Sequence, residues 1–487
     1  MSGFAWMQAR RDSVYFFLVG VFLFGLACSK IAMSASFLCY ALFFLLFGNK
    51  PLFWTRWHNN RLLIGSLLFF WGIHALSLFW SEDLFSGWNG LRVRLSMVAF
   101  PILLITTFPW EKHRISMLMK GLFVLLSVLM ALNLVHYLTL LRQQSLMDIR
   151  QLSWFGSHIR FGILVAFSTA LCMHLMKANF LNKKLAWGYV LLASCYVLYS
   201  QTFSAILSLF LVYVVHIGLF LWRSKWSKGV LMVTTAVSII AGWMVLSDFI
   251  APLKQCGSFE NVEEAAKAWS KKSTLSFYGK DKKNQALQST CERYLCSMDK
   301  TIDPESLGSL PKVCVKDIEN GFTDQHSAKG GLLGRYNELK YETQLAKDPN
   351  GHSYLQRLVY WKTALQIIVK YPLFGVGIGD VDSALKKAYL TTPLLAEFQK
   401  RPHNMFLTTG VSCGILGIIG LLFIMVLMSL LGVKNASWVL FLFVLISFCT
   451  MLLEDSLETQ TGSSFFGFFI GFLACKEVLP LWSLKND

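Results

Sequence analysis

Charge is scarce in this sequence of 487 residues: only 15% are Asp, Glu, Lys or Arg, against about 25% in soluble domains. Acidic residues are the scarcer sign, 28 against 45 basic, for a net charge of +17. That deficit excludes the roughly three soluble domains that the length would otherwise suggest. With 55% hydrophobic residues, the composition also excludes a disordered chain, a collagen and a small disulfide scaffold. The chain has no visible internal repeat, no paired CxxC units and no glycine run ending in Gly-Lys-Ser/Thr. A paired zinc site and a phosphate loop therefore lack their signatures. The N-terminus has no small-residue cleavage site and runs straight into an apolar segment, so a retained anchor is expected.

What the chain has is apolar runs of about 20 residues, each able to cross about 30 Å of hydrocarbon as a helix. Twelve spans are read near 14–29, 31–49, 62–80, 93–108, 115–141, 159–176, 185–199, 201–222, 229–248, 404–432, 437–453 and 464–482. The expected fold is an all-α polytopic membrane protein of about twelve transmembrane helices. Residues 1–250 form nine of them, 251–402 a large loop domain, and 403–487 the last three. Residues 251–402 hold 22 Lys+Arg and 17 Asp+Glu, so +12 of the net charge lies elsewhere. Much of it sits in short links: Arg10 and Arg11; Lys50, Arg56 and Arg61; Lys177, Lys183 and Lys184; Arg223, Lys225 and Lys228. Basic short loops stay cytoplasmic, which puts both termini inside and 251–402 outside. No basic run is interleaved with aromatics on a soluble face, so a nucleic-acid partner is not expected.

Cys28, Cys39, Cys172, Cys195, Cys413, Cys449 and Cys475 fall in or beside spans and read as small buried hydrophobes. Cys256, Cys291, Cys296 and Cys314 cluster outside, where an even set suggests two disulfides in one of three connectivities. Free thiols and a zinc site are the rival readings. The first part of the outer segment, through about Gly331, reads as a small cap stapled by these cysteines. In the second part, Leu355, Leu358, Trp361, Leu365 and Ile368 recur at helical spacing, predicting an amphipathic helix near 354–370 that lies on the membrane surface or against the bundle. Pro372 ends it. Gly375, Gly377 and Gly379 follow, read as close backbone packing rather than a phosphate site, and Asp380-Val-Asp382 is not counted as a metal site.

Polar side chains gather at the external ends of the spans: Ser157-His158-Ile159-Arg160, Ser200-Gln201-Thr202, Arg401-Pro402-His403-Asn404 and Glu454 to Gln460. Such residues are functional candidates, with interfacial anchoring as the plainer alternative. His403 precedes a long helix whose dipole disfavours imidazolium and keeps a neutral ring available as a base. Asn404 is a natural N-cap for it. Gly410, Gly414 and Gly417 let the same helix pack closely on a neighbour.

His403-Asn404 followed by Gly414-Ile-Leu-Gly417 resembles the signature of the O-antigen ligase and polymerase superfamily. Arg357-Leu-Val-Tyr-Trp361 and Tyr371 to Asp380 resemble the segment those proteins carry before it, and Glu454 to Gly462 resembles the ending of a ligase-like branch. The likeness covers roughly residues 150–470. Two positions depart from the pattern: Gln201 stands where members have Arg, and Arg401 where many have His. The resemblance implies a GT-C-like glycosyltransferase of the bacterial inner membrane, with a large periplasmic loop domain and its site on the periplasmic face. The donor would be a glycan on undecaprenyl diphosphate and the acceptor lipid A–core or another hydroxyl. It implies inversion at the sugar, no cofactor and no metal. His403 would be the base. Arg160 and Arg357 would hold the diphosphate, Arg335 and Arg401 would be secondary cations, and Asn404, Gln201, Glu458 and Gln460 would support them.

O-antigen polymerisation and glycan transfer to protein hydroxyls would use the same donor and remain alternatives. A transporter or flippase would instead predict internal repeats or paired broken helices near the bilayer midplane, and a scaffold would use the outer segment for docking. Topology is checked first. Reporter fusions at Lys228 and Lys300 are expected to report opposite compartments, and agreement between them would overturn the span assignment.

Overall fold

The computed structural model describes residues 10–142, 149–223, 243–244, 246–253, 257–325, 328, 331–346 and 348–482. Among them the secondary structure is helical, apart from an isolated bridge between Lys280 and Ala286. The described residues divide into two compact units, Met1–Phe220 with Ala364–Ala384 and Arg401–Asp487, and Leu221–Thr363 with Leu385–Lys400.

The first unit contains α1 (Arg11–Cys28), α2 (Lys30–Phe47), α3 (Lys50–Asn59), α4 (Arg61–Leu76), α5 (Leu84–Thr107), α6 (Lys112–Arg142), α7 (His158–Lys177), α8 (Lys183–Ser200) and most of α9 (Phe203–Arg223). Eight helices of the described chain are long and apolar enough to cross a membrane. The chain is a polytopic helical membrane protein. Most expected spans match helices within a few residues, and the differences have local causes. The expected span at 93–108 starts at Leu84 instead, because the Asp83 carboxylate accepts the Ser86 N–H (2.9 Å) and caps the helix early. The basic link after α2 holds the short helix α3, capped by Asn49 and with Pro51 in its first turn. The span expected at 229–248 lies largely outside the described residues. Cys39 and Cys195, expected to be buried, are exposed on their helices.

The second unit has its own core. Here α10 (Val262–Ser270), α11 (Leu287–Ser297), α12 (Pro304–Gly308) and α13 (Lys312–Glu319) bury Trp269, Phe277, Leu287, Tyr294, Leu295 and Ile318 together. Only one of the two expected bridges is visible among the described residues. Cys296 is disulfide-bonded, Cys291 and Cys314 are free and buried, and Cys256 lies outside the described residues. The two thiols are packed as small apolar groups in this core. Burial pushes the Cys291 thiol up from its ordinary value, which disfavours the reactive thiolate. The cap is therefore held by apolar packing more than by staples.

Next come α14 (Gly331–Gln344) and α15 (Ser353–Lys370), the latter close to the expected amphipathic helix. Its expected apolar face is half-buried at Leu355, Trp361 and Ile368. Tyr360, Thr363, Ala364 and Ile367 are buried, whereas Leu358, Leu365 and Val369 are exposed. The small Thr363 and Ala364 permit close approach to protein, and the larger apolar side chains are left for a bilayer to cover. The chain continues through α16 (Val381–Tyr389) into α17 (Met405–Lys434), α18 (Trp438–Leu453) and α19 (Gln460–Ala474). The last span stops short of residue 482 because Cys475 is extended, and the freed Lys476 N–H donates to Asn60 Oδ1 (3.0 Å).

Two glycine-dependent contacts position the candidate site. Helix α17 breaks at Gly414 (φ 63°, ψ −157°). There Val376 and Gly377 N–H donate to the carbonyls of Val411 and Ser412 (2.9 and 3.0 Å), and Ile415 N–H to Pro372 (2.8 Å). Backbone freed by the break is thus paired within protein, as an apolar surround requires. A Cβ on Gly414 would lie 2.4 Å from Leu373 backbone, and one on Gly375 2.5 Å from Ser412 backbone. The glycine run is a packing device. At the second contact, Gly467 and Gly471 of α19 lie against α5, where a Cβ would come within 2.6 Å of Ser96 O and 3.0 Å of Pro101 Cα. Non-reducing mass mapping should find Cys296 in a disulfide and Cys291 and Cys314 alkylated only after unfolding. Rapid labelling of both in the native protein would refute the buried-thiol core.

Candidate active site

The site is built where α5, α17 and the hairpin between α18 and α19 meet in the first unit. Asn404 Oδ1 accepts the N–H groups of Phe406 and Leu407 (3.0 and 3.1 Å), so it caps α17 as expected. His403, one residue earlier, has φ 50°, a left-handed conformation that is uncommon outside glycine. It is held there by its N–H, which donates to Asp455 Oδ2 (2.9 Å). Thr408 Oγ1 donates to the other oxygen of Asp455 (2.5 Å). Burial raises the Asp455 carboxyl above its ordinary value, and the Thr408 hydroxyl offsets part of this. The imidazole Nδ1 lies 3.9 Å from Glu454 Oε2. The ring therefore lies between the positive end of α17 and the Glu454 carboxylate. The dipole alone, as read from the sequence, is an incomplete account.

Glu454 also lines a cleft of about 70 Å³ with Arg160, Asp455, Ser456 and Thr461. Arg160 is placed by the start of α7, where His158 Nε2 donates to the Ser200 carbonyl (2.8 Å) and joins that end to the end of α8. Gln201 follows in the left-handed region (φ 54°), so residues 160 and 201 flank the same junction.

A chain of ion pairs lies behind the imidazole. Arg94 on α5 donates to Glu458, which also accepts from Arg401, and Arg401 Nε and Nη2 donate to Asp382 (2.7 and 2.9 Å). Burial would raise the Glu458 carboxyl, but Arg94 and then Arg401 outweigh it and hold it below the usual range. Burial likewise opposes the charge on Arg401, yet Glu458 and Asp382 raise its pKa. Three nitrogens of Arg401, expected as a secondary phosphate ligand, donate to the carboxylates of Glu458 and Asp382. Gln460 donates to Ser34 (3.0 Å) on α2 and ties α19 to that helix instead of joining the cluster. Asp380, for its part, accepts the N–H groups of Glu82 and Asp83 (2.7 and 2.9 Å), so the two carboxylates of the D-x-D have separate uses.

Arg357 and Arg335 belong to the second unit. Arg357 is half-buried on α15. Arg335 is 58% exposed and pairs with Glu338 one turn away (3.1 Å), an arrangement of little energetic weight. Sequence reasoning missed Arg94, Asp382 and the role of Asp455. A signal existed for the first, since an ionisable residue within an apolar helix is a candidate by default.

Residues 188–422, just under half of the chain, match the model of a family described as O-antigen ligase. This part of the chain is similar to the O-antigen ligase family, which supports the superfamily resemblance read from the sequence. No curated protein matches the sequence. The matched region contains Arg357, Arg401, His403 and the broken part of α17, whereas Arg94, Arg160 and the Glu454–Glu458 hairpin lie outside it. The match supports a ligase- or polymerase-type, glycosyltransferase-like activity, with lipid-linked glycan and lipid acceptor as the general substrate classes.

Glu458 provides the pH test. Its folded pKa is depressed, so its stabilisation is present above the unfolded value of about 4.3 and is lost as pH falls through the folded value. Glu458→Gln should therefore remove that acid-side loss and lower stability at neutral pH by about 3–5 kcal/mol, because Arg94 is left without its charge partner. Thermal unfolding of the purified protein across pH 3–8 measures both effects.

Proposed function

We propose that the protein transfers a glycan from undecaprenyl diphosphate to a hydroxyl acceptor on the periplasmic face of the inner membrane, with lipid A–core as the acceptor. The supporting observation is the grouping of His403, Glu454 and Arg160 at one end of the first unit, reached partly through the O-antigen ligase match.

In the proposed reaction the acceptor hydroxyl attacks the anomeric carbon from the face opposite the diphosphate. Nε2 of His403 takes the hydroxyl proton as the new C–O bond forms, and Glu454 beside Nδ1 stabilises the imidazolium. The bond between the anomeric carbon and the phosphate oxygen breaks, with inversion at the sugar. Undecaprenyl diphosphate leaves with the electron pair, and its added charge is met by guanidinium. Arg160 takes that role from its place in the cleft, and Arg357 on the resemblance. Polymerisation of repeat units and transfer to protein hydroxyls share every one of these steps and differ in the acceptor.

The test uses purified protein, lipid-linked glycan and a panel of acceptors. His403→Ala should bind donor normally and lose turnover by about 10²–10⁴-fold. Arg160→Ala and Arg357→Ala should weaken donor binding as well as rate, with poor rescue by Lys, which offers a point charge in place of a fork. Gln201→Arg should be tolerated and partly rescue Arg160→Ala. A folded His403→Ala protein with near-normal transfer would remove the base assignment.

A further inference from the structure

Arg94 is only 2% exposed, although it lies within an apolar helix that is long enough to cross a membrane. From the helix start at Leu84 it is ten residues in, about 15 Å along the axis. Its guanidinium is used on two sides: Nη1 donates to Gly90 O (3.2 Å) and Nη2 to Glu458, while Nε has no hydrogen-bond partner. His74 of α4 is fully buried nearby, reached by the charges of both Arg94 and Glu458, and its Nε2 also has no partner. The fold thus retains costly buried polar groups here, where an apolar pair would pack at less cost.

Such a cost is explained by what Glu458 does with its other oxygen. That oxygen accepts from Arg401, two residues before His403, while Asp455, three residues before Glu458, accepts the His403 N–H. Glu458 and Asp455 are thus two points on one short hairpin that grip both sides of Pro402. The hairpin is also held by Leu457, fully buried in the core, and by Ser463 Oγ, which donates to the Leu457 carbonyl (2.8 Å); the Arg94 pair adds the charged anchor at its Glu458 end.

We propose that Arg94 is a positioning residue for the transfer reaction: from within the membrane-spanning bundle it anchors Glu458, and through the hairpin it sets the backbone and ring of His403 and the place of Glu454. The proposal rests on the reading of His403 as the base for its kinetic consequence only. Its structural consequence, an ordered hairpin, is independent of that reading. Neither residue is offered as touching substrate. Arg160 shares the cleft with Glu454, but its own helix start is fixed by His158 on the Ser200 carbonyl, so donor binding should change less than turnover.

The experiment compares Arg94→Gln, Arg94→Lys and the double variant Arg94→Gln/Glu458→Gln in the full-length protein in lipid nanodiscs. Arg94→Gln should lower kcat by about 10²-fold, the scale expected of a misplaced catalytic group, with donor KM changed less than about threefold. Amide exchange of Asp455 to Thr459 should rise at least tenfold. Lys should restore the charge but not the exchange protection. The double variant exchanges the ion pair for a neutral amide pair, so thermal stability should return while kcat stays low. If the double variant recovers both stability and turnover, Arg94 is merely structural and the proposal fails. Unchanged hairpin exchange in Arg94→Gln would also overturn it. Full activity of His403→Ala, with raised exchange in Arg94→Gln, would instead sink the base assignment and leave the anchor standing.

Discussion

The requirement that a buried guanidinium be met by a carboxylate organises one end of this protein. Arg94 sits deep in α5, and in an apolar surround its charge is tolerable only beside a counter-charge with good geometry. Glu458 supplies it from a hairpin between two helices, so the hairpin is drawn down into the bundle. The glycine contacts of α19 on α5 let the two helices come close enough for the pair to form. With Glu458 placed, its second oxygen takes Arg401, and Arg401 in turn takes both oxygens of Asp382. His403 is then fixed between a held Arg401 and a held Asp455.

The break in α17 serves the same end by a different means. A continuous helix would satisfy its own backbone, whereas a break at Gly414 frees carbonyls that water cannot reach. The strand-like stretch after Pro372 pairs with them, and its glycines permit the approach. That stretch is also held to the loop before α5, since Ile378 and Gly379 N–H donate to Ser77 and Ser81 hydroxyls (both 3.1 Å) and Asp380 takes two backbone N–H groups there. Asp382, one turn on, is thereby delivered to Arg401. The glycine run and the D-x-D act here through backbone packing and charge pairing. In the proposed reaction the chemistry is left to His403 and the cleft.

The sequence by itself determined which segments enter the bilayer, because that depends on local composition alone. It also determined the ends of several helices, since a cap such as Asn404 or a stop such as Pro372 acts on its immediate neighbours. The gathering of polar residues at one set of span ends was legible for the same reason: alternation along the chain decides it.

Pairing was not legible in this way. Arg94 and Glu458 are separated by 364 positions, and nothing local in either residue names the other. Nor does periodicity show which face of α15 is covered, because small residues and lipid compete with large apolar ones for the role. Cys291 and Cys314 look like bridge candidates until the fold buries each as a hydrophobe. Composition and neighbours dictate where helices start, stop and cross. Which charge meets which depends on how closely the helices approach, and that is a property of the packed tertiary structure alone.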